Sequence, residues 1–260
     1  MSAAVNATMR GTADIVVLID ATGSMRPCID AVRESIVDFI DGLQFAGAGG
    51  TPLVRDWRVR IVGYRDRIDC VQDWIEESPF TRSVDVLRTQ LAELKAKGGG
   101  DEPESLLDAL FHLCCLPPAD PSSPEGDYCW RPRSAAHRFV VVFTDATYHP
   151  AFAPLDGGGI GTSLGLDDLA DRIHESGIWL QMFTPRFPCY ESMAEIDRCK
   201  WHSIPLVLGI PEWMPAGAGS DLSNIGALAL RRLVGDRAKF AEILRALGRS
   251  ISQSASTEAV

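Results

Sequence analysis

A chain of 260 residues with 46% hydrophobic and 8% aromatic residues is long enough to bury the core of one large α/β domain, and it has neither the composition of a disordered chain nor that of a fibrous one. Its formal charge of −10 comes without clustered Lys or Arg, which argues against nucleic-acid binding, where affinity comes from neutralising phosphates, and points to a metal ion or a basic partner. No apolar run reaches the roughly 20 residues of a membrane helix, and the opening MSAAVNATMRGTAD lacks the apolar stretch of a secretory signal, so a cytoplasmic protein without membrane association is expected.

Residues 1–11 read as a tail. Residues 14–19, DIVVLI, form a short continuous run rich in Val and Ile, as in a strand buried on both faces. Ile29, Val32, Ile36, Val37, Ile40 and Leu43 then recur at steps of three and four, giving one apolar helix stripe that stops at AGAGGTP. A second strand is expected over 57–66 (WRVRIVGYRD), with 70–76 (CVQDWIE) as an antiparallel edge strand beside it. The helix SVDVLRTQLAELKAK halts at Gly98-Gly99-Gly100, and DEPESLLDALFHLCCL starts another with Pro103 in its first turn, where a missing N–H costs little. Residues 117–136, rich in Pro and Ser, read as a polar surface insertion.

RFVVVFTDATYHP repeats the opening pattern, a β-branched strand over 138–144 that ends in Asp145. A helix (DDLADRIHESG), a strand (IWLQMFT), a short helix (YESMAEIDRCKW) and a last strand (SIPLVLG) follow. Residues 223–250 carry two helices divided near Gly235, and 251–260 are expected to be a disordered tail. The alternation implies a doubly wound α/β domain over 12–250, with a mostly parallel sheet of about six strands, one antiparallel edge strand and helices on both faces. Ligands of such sheets sit at the carboxyl ends of the strands, where strand order reverses. Asp20 and Asp145 both stand at such ends.

The first loop offers Asp20, Thr22 and Ser24, the loop after the fourth strand offers Asp145, and the turn GGGDEPES offers Asp101. All are hard oxygen donors. Carboxylates converging in one crevice repel by several kcal/mol unless a cation neutralises them. Magnesium suits them best, because it takes an octahedron of oxygens and keeps several waters; manganese and calcium are the alternatives. The alternation D-x-T-x-S turns every second side chain the same way, and Gly23 lets the loop bend. A plainer reading makes Asp20, Thr22 and Ser24 caps of the following helix, and Asp101 with Glu104 a capping box. Asp66 lies on the same rim, and His149 reads as a loop residue. The seven irregularly spaced cysteines suit reduced thiols, Cys189, Cys199 and His202 lack the spacing of a zinc site, and DGGGIGTSLG at 156–165 lacks the context of a nucleotide loop.

Over about residues 12–235 the sequence resembles a von Willebrand factor type A domain. Asp20, Thr22 and Ser24 match the first element of that family's metal-ion-dependent adhesion site, and Asp145 matches its last aspartate. The resemblance implies a cation-dependent protein–protein interaction module, with a partner's carboxylate completing the ion's coordination and no catalytic machinery. Where the family usually has threonine, GGGD places Asp101, which adds a negative charge and should hold the ion more tightly. GYRD, GGGDEPESLLDAL and TDATYH are similar to the branch that includes the alpha-kinase-associated domains. That implies an adaptor or regulator within a bacterial multi-protein system of AAA+ ATPase, kinase, phosphatase, stress or defence type. Two other readings stay open: a magnesium-dependent phosphohydrolase or phosphoryl-transfer enzyme, which would want a second aspartate two residues after Asp20, and a scaffold with a vestigial metal site.

Overall fold

The computed structural model describes residues 10–46, 50–99, 102–120, 124–152, 164–206 and 222–256. At its centre β1 (Thr12–Asp20) is flanked by β2 (Asp56–Tyr64) and β4 (His137–Phe143), both parallel to it. β3 (Ile75–Glu77) closes one edge antiparallel to β2, and β5 (Ile178–Pro185) and β6 (Cys199–Ile204) extend the other, giving the order β3-β2-β1-β4-β5-β6. Ile15, Val17 and Ile19 face one core with α1 (Arg26–Leu43), α2 (Val84–Glu93), α6 (Leu222–Gly235) and α7 (Arg237–Ser256). Val16 and Leu18 face the other, with α3 (Leu106–Cys115), α4 (Leu166–Ser176) and α5 (Cys189–Ala194). This is the doubly wound α/β fold read from the alternation of strands and helices. Among the described residues no helix is long and apolar enough to cross a membrane.

Several boundaries move for tertiary reasons. Of 70–76 only the end is strand; Cys70 N–H bonds to the Asp66 carbonyl (2.9 Å) and Asp73 N–H to that of Cys70 (3.1 Å), so the polar stretch satisfies itself in turns. α2 stops at Glu93 and the chain runs on extended, because Lys97 N–H bonds to the Ala21 carbonyl at 3.0 Å. α3 begins at Leu106, not at Pro103, since Glu104 is drawn out against the loop after β4: its N–H bonds to the Thr147 carbonyl (3.0 Å) and its carbonyl accepts from His149 (3.1 Å). β6 begins at Cys199 because the Arg198 carbonyl already accepts from Leu180 N–H at 2.9 Å.

The stretch 117–136 is no mere polar surface loop. Trp130 is fully buried and donates from Nε1 to the Leu113 carbonyl at 2.7 Å. Beside it Arg131 donates to buried Asp14 from Nε (2.7 Å) and from its own N–H (2.8 Å). The expected disordered tail is likewise partly ordered, with α7 running to Ser256 and Ile251, Ser252 and Ala255 buried. α7 crosses α1 at glycines: a Cβ on Gly42 would fall 2.1 Å from the Arg245 carbonyl oxygen, and one on Gly248 2.2 Å from that of Phe39. Absent side chains let the two backbones touch. Past the crossing, Gly11 N–H bonds to the Ala255 carbonyl at 3.0 Å.

Candidate metal centre

β1 delivers Asp20 fully buried at its carboxyl end. Thr22 N–H donates to Oδ1 at 2.9 Å and the Thr144 hydroxyl donates to Oδ2 at 2.9 Å, which fixes the carboxylate and leaves each oxygen a lone pair. Thr22, at φ −73° and ψ 163°, carries the chain into a 3-10 turn over Gly23–Met25 that runs into α1. Thr22 Oγ1 and Ser24 Oγ stand 3.2 Å apart, and the Ser24 hydroxyl favours the charged form of the Asp145 carboxyl. Neither the 3-10 turn nor α1 has a side-chain cap at its head, so the capping reading of this loop does not describe it. Asp145 follows β4, whose Phe143 is in register with Ile19 of β1. The two aspartates thus leave neighbouring parallel strands, about 4.8 Å apart, where the strand order turns from β2 to β4.

The segment after α2 forms a third wall. Gly23 N–H bonds to the Gly98 carbonyl at 3.0 Å. Gly98 and Gly99 take φ of 72° and 77°, and a Cβ on Gly99 would stand 2.8 Å from that of Thr22, so only glycine serves there. Asp101 lies outside the described residues, as does 156–163 of the glycine run. Glu102 sits beyond it, with Oε2 accepting from Thr147 N–H (3.2 Å) and hydroxyl (3.0 Å).

Burial, and then Asp20 beside it, push the Asp145 carboxyl up to about 7, against the Ser24 hydrogen bond, and Glu102 adds to the push. Asp20 is raised by burial, opposed by its bonds from Thr22 and Thr144 and by the charge of Arg65. The Cys28 thiol of α1 is raised by burial and then by both aspartates, so a third group registers the same concentration of negative charge. Asp145 Oδ2 is buried without a hydrogen-bond partner. An orphaned carboxylate oxygen next to a second carboxylate has the chemistry of a divalent-cation site, and the donors Asp20, Thr22, Ser24 and Asp145 offer only the hard oxygens that magnesium, manganese and calcium accept. Among the described residues no three Asp, Glu, His or Cys side chains gather to hold a metal, so this donor set consists of two carboxylates and two hydroxyls.

The other candidates have separate partners. Asp66 Oδ1 accepts from the Ser105 hydroxyl (3.0 Å) and Ile68 N–H (2.9 Å), with His149 Nε2 at 3.2 Å. Glu104 is no capping-box residue, as α3 starts two residues later with Ser105 at its head. His202 meets Gln181 at 2.9 Å and stacks on Phe183 with ring centroids 4.4 Å apart, away from any zinc arrangement. Thr144 and Arg65 escaped the sequence reading, because Thr144 looks like one more β-branched strand residue and an arginine in GYRD looks exposed. Arg65 is in fact buried, donating to the Asp73 carbonyl (2.9 Å), to Glu76 (2.7 Å) and to the Lys95 carbonyl.

Helix α6 bears directly on the centre, since a Cβ on Gly226 would fall 1.8 Å from the Asp145 carbonyl oxygen. Gly226→Ala is therefore expected to displace Asp145 or the helix, weakening magnesium binding about 10-fold in calorimetry and costing about 1–3 kcal/mol of stability. Unchanged affinity in a destabilised variant would show that Asp145 holds its place without that contact.

No family model matches the chain. Over 164 residues, 62% of its length, it is 26% identical to the alpha-protein kinase vwkA of Dictyostelium discoideum, of which it spans 23%. Among solved structures it is similar to proximal thread matrix protein 1 of the mussel byssus, at 15% identity and a TM-score of 0.47, covering 88% of this chain and 49% of that one. A structure of the same mussel protein with a zinc-occupied MIDAS motif gives 13% identity and a TM-score of 0.42, covering 88% and 48%. The pilus adhesin SpaC of Lactobacillus rhamnosus GG gives 12% identity and a TM-score of 0.48, covering 87% and 30%. The chain thus spans less than half of each of these proteins.

Proposed function

We propose that this chain is a divalent-cation-dependent protein-binding module of the von Willebrand factor A type. The observation that carries the reading is the buried pair of Asp20 and Asp145, with Asp145 Oδ2 lacking any hydrogen-bond partner. Asp20, Thr22, Ser24 and Asp145 would hold the ion, and Asp101 is proposed as a further donor from the position after Gly100. Magnesium is the proposed ion, ahead of manganese and calcium. When bound, it would offer positive charge to a partner's carboxylate. Binding is favoured over turnover because both Asp20 oxygens are engaged, by Thr22 and by Thr144, which suits a positioned ligand better than a nucleophile.

The proposed setting is a cytoplasmic bacterial multi-protein system in which the module acts as adaptor or regulator. The kinase-linked part of that setting is supported by the motifs GYRD, GGGDEPES and TDATYH and by a matching segment in a much longer chain named as a protein kinase. The test is affinity capture from the source cell with and without EDTA, using wild type and Asp20→Ala. A partner lost on chelation and lost again with Asp20→Ala is the expected result. Retention in both cases would favour a scaffold with a vestigial site, and magnesium-dependent release of phosphate from a generic phosphomonoester would favour the enzyme.

A further inference from the structure

Residues 102–104, between the glycine turn and α3, are laid against the loop that follows β4. Glu104 N–H bonds to the Thr147 carbonyl at 3.0 Å, His149 N–H bonds to the Glu104 carbonyl at 3.1 Å, and Glu104 pairs with Tyr148 as in a parallel ladder. This backbone pairing brings Glu102 to Thr147. There Oε2 accepts from both donors of that one residue, the N–H at 3.2 Å and the hydroxyl at 3.0 Å. The gripped loop is itself tied down: Ala146 N–H bonds to Thr144 Oγ1 at 3.1 Å, the Tyr190 hydroxyl donates to the Ala146 carbonyl at 2.7 Å, and that of Tyr148 donates to the Cys189 carbonyl at 2.6 Å.

Asp145 precedes Thr147 by two residues, so their Cα atoms stand no more than about 7 Å apart, and the Glu102 carboxylate is fixed beside the metal centre. Asp145 registers it: burial and then Asp20 raise its carboxyl, and Glu102 adds to both. A neutral amide would hold Thr147 as well as a carboxylate does, since either offers the acceptor oxygen that the two donors need. The carboxylate instead adds a third negative charge beside Asp20 and Asp145, which destabilises the folded chain unless a cation offsets it. The buried Asp145 Oδ2, without a hydrogen-bond partner, marks where that cation is wanted.

We propose that Glu102 is an outer carboxylate of the metal centre, held off the ion by Thr147 and supplying negative charge and acceptor oxygen to the ion's water ligands. Magnesium keeps several of its waters when a protein binds it, and those waters need acceptors as the direct donors do. Oε2 already takes two hydrogen bonds from Thr147, which suits a post beside the ion better than a place on it. The inference rests on the metal-dependent reading above and adds to it a residue outside the set Asp20, Thr22, Ser24, Asp101 and Asp145.

The test titrates magnesium chloride calorimetrically into the full chain as wild type, Glu102→Gln and Glu102→Ala, with amide hydrogen exchange at Thr147 followed by NMR. Glu102→Gln keeps the shape and the acceptor oxygen at a half-buried position, a change of small cost to folding. It is expected to weaken magnesium binding about 10-fold, with the Thr147 amide still protected and the urea midpoint of the metal-free chain no lower. Glu102→Ala, which loses the charge and the grip on Thr147 together, is expected to weaken binding at least as much. Wild-type affinity in Glu102→Gln would make Glu102 a latch on the loop and overturn the proposal, whatever Glu102→Ala does. A loss in Glu102→Gln as large as that in Asp20→Ala would make it a direct donor, and a loss accompanied by an unprotected Thr147 amide would trace the effect to the loop; either overturns the outer role while leaving the metal reading in place. A wild type that binds no magnesium would remove both.

Discussion

Magnesium titrated into the wild type is expected to bind with an affinity that falls as pH drops through about 7, while Asp20→Ala and Asp145→Ala each lose on the order of 100-fold or more. The cause is the Asp145 carboxyl, held up to about 7 by burial and by Asp20. Below that value an incoming ion displaces a proton; well above it none is displaced. Calorimetry in buffers of different ionisation enthalpy reads that proton directly. Stability carries the same signature with a defined sign. A carboxyl raised in the folded state contributes stability that is complete below its unfolded value of 3.8 and is lost as pH rises through the folded value. Metal-free protein should therefore unfold at lower urea at about pH 8 than at about pH 5.5, by a few kcal/mol, and saturating magnesium should restore the loss at the higher pH. Equal metal-free stability at both pH values would mean that the two aspartates do not burden each other.

Asp14→Ala is expected to cost about 3–5 kcal/mol in urea unfolding and to leave magnesium affinity unchanged. Asp14 is fully buried in β1, yet Arg58 grips it with Nε at 3.0 Å and Nη2 at 2.6 Å, and Arg131 adds Nε at 2.7 Å. Arg131 also reaches Asp56 at 2.5 Å and the Ala13 carbonyl at 3.1 Å. Removing the shared carboxylate leaves the buried Arg58 guanidinium with the Cys129 carbonyl (3.2 Å) and no counter-charge, beneath Phe80, whose ring lies 4.5 Å from it, while Arg131 keeps Asp56. Six residues of strand, about 20 Å, separate Asp14 from Asp20, which is why the two effects should part. Loss of magnesium binding in Asp14→Ala under folded conditions would contradict that separation.

The β1 and β4 strands, each ending in an aspartate, were legible because each is a β-branched run, and the pairing of the Thr22 and Ser24 hydroxyls follows from donors at alternate positions. What escaped depends on distant residues. Arg58 and Arg60 in WRVRIVGY look like the wet face of an edge strand, and it takes the folded 124–131 segment to cover them, through the Cys129 and Tyr128 carbonyls 71 and 68 residues later. Trp130, in a Pro- and Ser-rich context, gave no periodic signal of its burial. Ile251 and Ala255 belong to a helix whose apolar stripe makes sense only against α1, through Gly42 and Gly248. Thr144 was hidden by doing two things at once, filling a strand position and holding Asp20.

The bond from Gly11 to Ala255 brings the beginning and the close of the fold together at the foot of β1. A fusion tag, a tether or a neighbouring catalytic unit attached at either side would emerge from the pole opposite Asp20.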